Sequence, residues 1–231
     1  MNNSLLNRPF KLNNIILNFN NAKNGGAIYL TSNAGFTNII NCNFTKNQGS
    51  GSAFSISANN VTIDKCIFKE NIGIGYGAID TNSGSDGLIV KNSEFYNNTA
   101  TGDSGALLFA STSSNMLGYN LTFINNSAKN GGACRISGNN NAIVNSTFKN
   151  NKATDKGGAI YLYTGSYITI DDCVLNNSLL NIPFKLKLFD FYSQGLFLLA
   201  YFKFNHSSKS IKSSFLFDLT YSSYSFASEN I

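Results

Sequence analysis

Apolar positions along this chain recur at a long period, not at the spacing of a helix or of an isolated hairpin. A short apolar strand follows a small-residue signature six times: GGAI at Gly25 to Ile28, GSAF at Gly51 to Phe54, YGAI at Tyr76 to Ile79, SGAL at Ser104 to Leu107, GGAC at Gly131 to Cys134 and GGAI at Gly157 to Ile160. The copies are spaced by roughly 25 to 28 residues, within the range of solenoid repeats. Upstream of the signatures stand Phe44, Phe68, Phe95, Phe123 and Phe148, with Leu17 or Phe19 in the first copy. Five residues before that anchor runs an apolar column (Ile39, Ile63, Val90, Ile143, Ile170), and two residues before it another (Cys42, Cys66, Leu121, Cys173, with Ser93 and Ser146). The odd gap of three between the columns breaks the alternation of a strand, so the chain turns a corner there. Asn41, Asn92, Asn120 and Asn145 occupy the corner, with Lys65 and Asp172 as exceptions.

A strand, a corner, a strand, an Asn-rich turn and a third short strand describe one coil of a parallel β-solenoid. Each coil leaves backbone groups unpaired and apolar residues half covered, and the next coil, about 4.8 Å above, satisfies both. The expected fold is all-β: a right-handed, single-stranded parallel β-helix of about six to seven coils over residues 1–175, with a divergent tail over 176–231. Ile28, Phe54, Ile79, Leu107, Cys134 and Ile160 should form one inward row, and Leu30, Ile56, Phe109, Ile136 and Leu162 a second, with the Phe anchors as a third. Gly26, Gly77, Gly105, Gly132 and Gly158, with Ser52 in the odd copy, keep one position small for a tight corner or close backbone approach. The Ala after it recurs in all six copies, though alternation alone leaves its direction open. Stacked corner asparagines are expected to form amide ladders, which gives the abundance of Asn a structural cause.

An eleven-residue echo marks a larger unit: Asn2 to Leu12 reads NNSLLNRPFKL and Asn176 to Leu186 reads NNSLLNIPFKL. After Leu186 the echo stops, and the tail is rich in Phe, Ser and Leu, poor in Asn and without the signature. It reads as a cap, a separate amphipathic segment or an array cut short by a lost reading frame, the abrupt change favouring the last.

Composition narrows the class. Only 13% of residues are charged while about one in six is Asn, so polarity comes from amides and hydroxyls. A hydrophobic content of 42% suffices for a core. The net charge of +5 comes from 17 Lys+Arg against 12 Asp+Glu, scattered without a basic run, which argues against a nucleic-acid partner. Four dispersed cysteines (Cys42, Cys66, Cys134, Cys173) fit neither a disulfide scaffold nor a zinc site. Cys42 and Cys66 stack at one inward position, where buried thiols are favoured over a geometrically awkward bridge. Sequons at Asn43, Asn60, Asn97, Asn120, Asn125 and Asn145, among others, are permissive only, because a chain this rich in Asn, Ser and Thr generates them by chance. The start MNNSLLNRPFKLNN lacks the basic and then apolar stretch of a secretory signal, so the chain is expected to stay inside or to be part of a longer one. Leu188 to Phe204, interrupted by Asp190, Gln194 and Lys203, is not expected to span a bilayer.

The pairing of Phe-x-x-Asn (FTKN at Phe44, FKEN at Phe68, FYNN at Phe95, FINN at Phe123, FKNN at Phe148) with a following GGA[I/L/C] resembles the repeats of the polymorphic outer membrane protein family. It is similar also to the repeats of Asn- and Thr-rich adhesin-like surface proteins of methanogenic archaea. The resemblance covers roughly Leu12 to Leu175 and implies right-handed parallel β-helix stalks displayed at the cell surface, often as adhesins. The chain departs from that family in carrying neither a recognisable signal peptide nor a C-terminal β-barrel.

Parallel β-helices also carry polysaccharide lyases and glycosidases, so candidate chemistry needs weighing. IDDC at Ile170 to Cys173 is superficially like the Asp-Asp pair of galacturonase-like enzymes, but no Asn-Thr-Asp or Gly-His-Gly segment accompanies it. The one histidine, His206, sits in the tail, and Asp171 and Asp172 read as a solvated turn. A column expected to face outward reads Tyr29, Ser55, Asp80, Leu108, Arg135 and Tyr161, with Asp80 and Arg135 two coils, about 10 Å, apart. Its rings and Arg could stack on sugar, against the plainer reading of variable exposed positions. SGSDG at Ser83 to Gly87 reads as a loop, not a calcium repeat.

The expected function is that of a non-enzymatic cell-surface or secreted module, an adhesin-like or structural stalk that binds glycans or proteins. It has no assigned catalytic, cofactor-binding or metal-binding residue, no cofactor and no nucleic-acid partner, and meets a membrane only through a part outside this chain. The alternatives are a carbohydrate-active β-helix enzyme of the pectin-lyase-like class and a fragment of a larger surface protein without autonomous function.

Overall fold

The computed structural model describes residues 10–82 and 84–176, together with the backbone of 203–206 and 209–211. The chain winds through four parallel sheets, visited in turn by every full coil. Sheet A holds the strands from Lys11–Asn13 to Thr169–Asp171, and sheet B those from Ile16–Asn18 to Val174–Asn176. Sheet C runs from Gln48–Gly51 to Lys152–Lys156, and sheet D from Ile28–Leu30 to Ile160–Leu162. Register is kept in sheets A, B and D, where Ile39 pairs with Ile63, Phe44 with Phe68, and Cys134 with Ile160, whereas sheet C shifts register between Gly73 and Tyr76 and between Ala128 and Asn130. Beyond the last coil, Lys203–His206 pairs in parallel with Val174–Asn176 and antiparallel with Lys209–Ile211. The rest of the divergent tail, and with it the division at 175 and the three readings of the tail, lies outside the described residues.

Sequence reasoning found three strands per coil, and the structure has four. The Asn-rich turn contains sheet C, whose centres are Gly49, Gly73, Ala100, Ala128 and Ala153. The sheet does alternate, but its inward residue is Gly or Ala, so no large apolar side chain announces it. Space explains the size limit: a methyl at Gly49 would lie 2.7 Å from the Ala22 carbonyl oxygen.

The three predicted inward rows close the core. Phe44, Phe68, Phe95, Phe123 and Phe148 are fully buried and their rings stack at 4.7 to 4.9 Å, one coil apart. Leu17 continues the column in the first coil, whereas Phe19 stands at a corner, 72% exposed. Phe54 of sheet D meets Phe44 edge-on at 5.7 Å, so sheets B and D face each other across the core. Gly118 leaves a gap in the column of Ile39 and Ile63, and Leu121 fills it, its Cδ1 lying 3.0 Å from where a methyl on Gly118 would stand. The recurrent Ala points inward, with Ala53, Ala78, Ala106, Ala133 and Ala159 all buried. The glycine before it marks close backbone approach: a methyl on Gly105 would lie 2.1 Å from the Gly132 carbonyl oxygen.

Asparagine serves two structural purposes. The corner between sheets A and B has positive φ in every coil, from 47° at Asp172 to 58° at Asn14, and Asn tolerates that left-handed conformation better than most residues. The corner contains a rung, from Asn120 Nδ2 to Asn92 Oδ1 at 2.8 Å. The continuous ladder expected at this corner lies instead at Asn47, Asn71, Asn98, Asn126 and Asn151, the last residue of Phe-x-x-Asn, and at Asn20, which follows Leu17 at the same spacing, with rungs of 2.9 to 3.0 Å. Inside the wall, between sheets B and C, water cannot compete for these amides, so each must find protein partners.

Candidate functional site

Alternation alone would turn the middle residue of each sheet D strand outward, as Tyr29, Ser55, Asp80, Leu108, Arg135 and Tyr161. The structure splits this column. Tyr29 is 48% exposed and Arg135 and Tyr161 are half-buried, but Ser55, Asp80 and Leu108 are buried. Segments leading from sheet C to sheet D crowd this face: a methyl on Gly51 would lie 2.4 Å from Asp80 Cβ. Asp80 Oδ1 has no hydrogen-bond partner, and burial raises its carboxyl from the ordinary 3.8 to about 7.

Arg135 does not serve Asp80. Its Nη1 donates to Asp103 Oδ2 at 2.8 Å, and its guanidinium lies 4.2 Å from the centre of the Tyr163 ring. Asn130 Nδ2 donates to the other Asp103 oxygen at 2.7 Å. Backbone pairing fixes this meeting, because Asp103 bridges Asn130 in the next coil while Arg135 pairs with Tyr161. Tyr161 and Tyr163 sit 5.8 Å apart, and Lys156 Nζ lies 5.7 Å from the Tyr161 ring centre. Arg135 Nε and Asn130 Oδ1 are buried without a hydrogen-bond partner.

Beside this cluster lies a shallow trough of about 450 Å³, lined among others by Ala100, Thr101, Ala128, Lys129, Lys152 and Thr154. The stretch from Asn126 to Cys134 is one residue shorter than those from Asn98 to Leu107 and from Asn151 to Ile160. A shorter coil between two longer ones leaves the depression. The trough lies on sheet C, and the cluster follows it along the chain toward sheet D; between them they present aromatic faces, cations and hydroxyls, a set suited to stacking on sugar rings and bonding their hydroxyls.

The other sequence candidates fall elsewhere. Asp172 is at its corner, and Asp171 ends a sheet A strand; both are exposed. His206 ends the strand Lys203–His206, and its side chain lies outside the described residues. Cys42, Cys66, Cys134 and Cys173 are buried free thiols, and burial pushes Cys66 up to about 12. Of the SGSDG motif, Gly84 and Gly87 have positive φ, 81° and 69°, and Ser83 lies outside the described residues. Among the described residues no group of three His, Cys, Asp or Glu could hold a metal ion, and no helix is long and apolar enough to cross a membrane. Sequence reasoning missed Asp103, Asn130, Lys156 and Tyr163; the available signal was the unequal length of the sheet C to sheet D segments.

The fold defines a right-handed parallel β-helix protein. Residues 26–179 match the family model for the right handed beta helix region, and the chain belongs to that family. No curated protein matches the chain, and no solved structure does.

Proposed function

We propose that the chain is a rigid, non-enzymatic module of the cell surface, adhesin-like in role, that binds a glycan along the edge between sheets C and D. The carrying observation is the Arg135 guanidinium held 4.2 Å from the Tyr163 ring, which is itself exposed. Stacked rings and a stacked amide ladder run through successive coils, which supports a stiff stalk that holds this edge at a fixed distance from its attachment. Glycan-array binding followed by titration tests the reading. Tyr163→Ala and Arg135→Ala should each weaken a bound glycan about tenfold, near 1.4 kcal/mol, with the far-UV spectrum unchanged. Absence of binding across neutral and acidic glycans would overturn it.

A second reading, a carbohydrate-active enzyme, draws support from Asp80, whose carboxyl titrates near the range useful to a general acid or base. Incubation with polyuronides and assay for unsaturated or reducing ends separates the two. Turnover abolished by Asp80→Ala or Asp171→Ala would favour the enzyme.

A further inference from the structure

We propose that the exposed sequons around sheet B are acceptors for N-linked glycans, an inference that rests on the surface placement proposed above. In so Asn-rich a chain the tripeptides alone carry little weight, and the fold adds a division of the asparagines into two chemical populations. In the ladder, Asn71 Nδ2 donates to both Asn98 Oδ1 and the Phe44 carbonyl, and Asn98 and Asn126 repeat the arrangement. Both amide hydrogens are committed and the residues are fully buried. None of Asn47, Asn71, Asn98, Asn126 and Asn151 begins a sequon, because the residue two positions on is the inward Gly or Ala of sheet C.

Asn43, Asn60, Asn97, Asn120, Asn125 and Asn145 are all exposed. Apart from Asn120, which donates to Asn92, their carboxamides have no protein partner among the described residues. Five of the six flank sheet B: Asn43 in a strand, Asn120 and Asn145 at the corner from sheet A, Asn97 and Asn125 at the corner to sheet C. Asn43, Asn120 and Asn145 lie on the side across the core from sheet D, so glycans there would leave Arg135 and Tyr163 uncovered, whereas the Asn125 sequon ends on Ser127, which lines the trough. Asn176, a seventh sequon asparagine, is half-buried in the last described strand of sheet B.

The coil step also limits occupancy. Asn97 stacks on Asn125 and Asn120 on Asn145, one step apart, and the step of 4.7 to 4.9 Å is narrower than a substituted pyranose. Each pair therefore holds one glycan in a folded chain; if attachment precedes folding, doubly substituted chains are excluded from the fold. Within the second pair Asn145 has the free amide. In the transfer step Nδ2 bonds to the anomeric carbon of a lipid-linked oligosaccharide. The bond from that carbon to phosphate breaks, the lipid phosphate leaves, and the displaced amide proton passes to a base of the transferase.

Glycopeptide mass spectrometry on the full chain recovered from its own cells should find glycan on Asn43 and Asn145, and on Asn97 or Asn125 but not both. Thr99→Ala, which removes the Asn97 sequon and leaves the corner residue in place, should raise Asn125 occupancy on the order of twofold if the pair is evenly shared. Unchanged occupancy overturns the exclusion. In a second arm, purified oligosaccharyltransferase and lipid-linked donor act on the full chain. Glycan-free folded chain from both arms overturns the proposal, whereas modification in the second arm alone supports the acceptor chemistry and overturns the surface placement.

Discussion

Asn98 Nδ2 donates to Asn126 Oδ1 at 3.0 Å and to the Phe68 carbonyl at 2.9 Å, so one buried amide ties three successive coils. Its Oδ1 in turn accepts from the backbone and side-chain amides of Asn71. Asn98→Ala leaves groups in the flanking coils unpaired out of reach of water, each costing about 1–3 kcal/mol. We expect a loss of about 3 kcal/mol in urea denaturation, against less than about 1 kcal/mol for its exposed neighbour in Asn97→Ala. Equal losses would show that the ladder contributes nothing beyond a favourable corner.

The phenylalanine column makes a graded prediction. Phe95 is fully buried between Phe68 at 4.9 Å and Phe123 at 4.8 Å. Phe95→Ala should cost about 3–5 kcal/mol through lost burial and a cavity. Phe95→Leu should be milder, about 1.5 kcal/mol, since Leu17 and Leu175 already occupy this position in the outermost coils. Thermal melts of the two variants check the order.

Asp80 makes stability depend on pH. Its carboxyl is raised from 3.8 to about 7 in the folded chain, so between those values the folded chain binds more protons than the unfolded one. Stability therefore falls as pH rises through that window and levels off above it. The full penalty is on the order of 4 kcal/mol. Asp80→Asn should stabilise the protein at about pH 8, have little effect near pH 4, and flatten the slope between. Denaturant midpoints across that range would sink the account if the variant kept the wild-type slope.

Two glycines separate steric from conformational causes. Gly105→Ala drives a methyl to 2.1 Å from the Gly132 carbonyl oxygen and should cost more than about 3 kcal/mol or prevent folding. Gly84 has open space but a φ of 81°, so Gly84→Ala should cost only about 1 kcal/mol. Soluble yield and melting temperature distinguish them.

The sequence by itself determined the solenoid, the inward rows and the first corner, because stacking like on like imposes the same demand on every coil and repetition makes that demand visible. It could not separate the buried amides from the exposed ones, since Asn47 and Asn41 differ only in which side of the wall the chain turns them to. Sheet C escaped notice because close backbone contact requires Gly or Ala where an apolar residue would have signalled a strand. Only the tertiary structure decided that Arg135 meets Asp103 and Tyr163, and that Asp80, on the same column, is covered. Those contacts depend on how unequal segments of neighbouring coils settle against one another, and no period in the sequence records that.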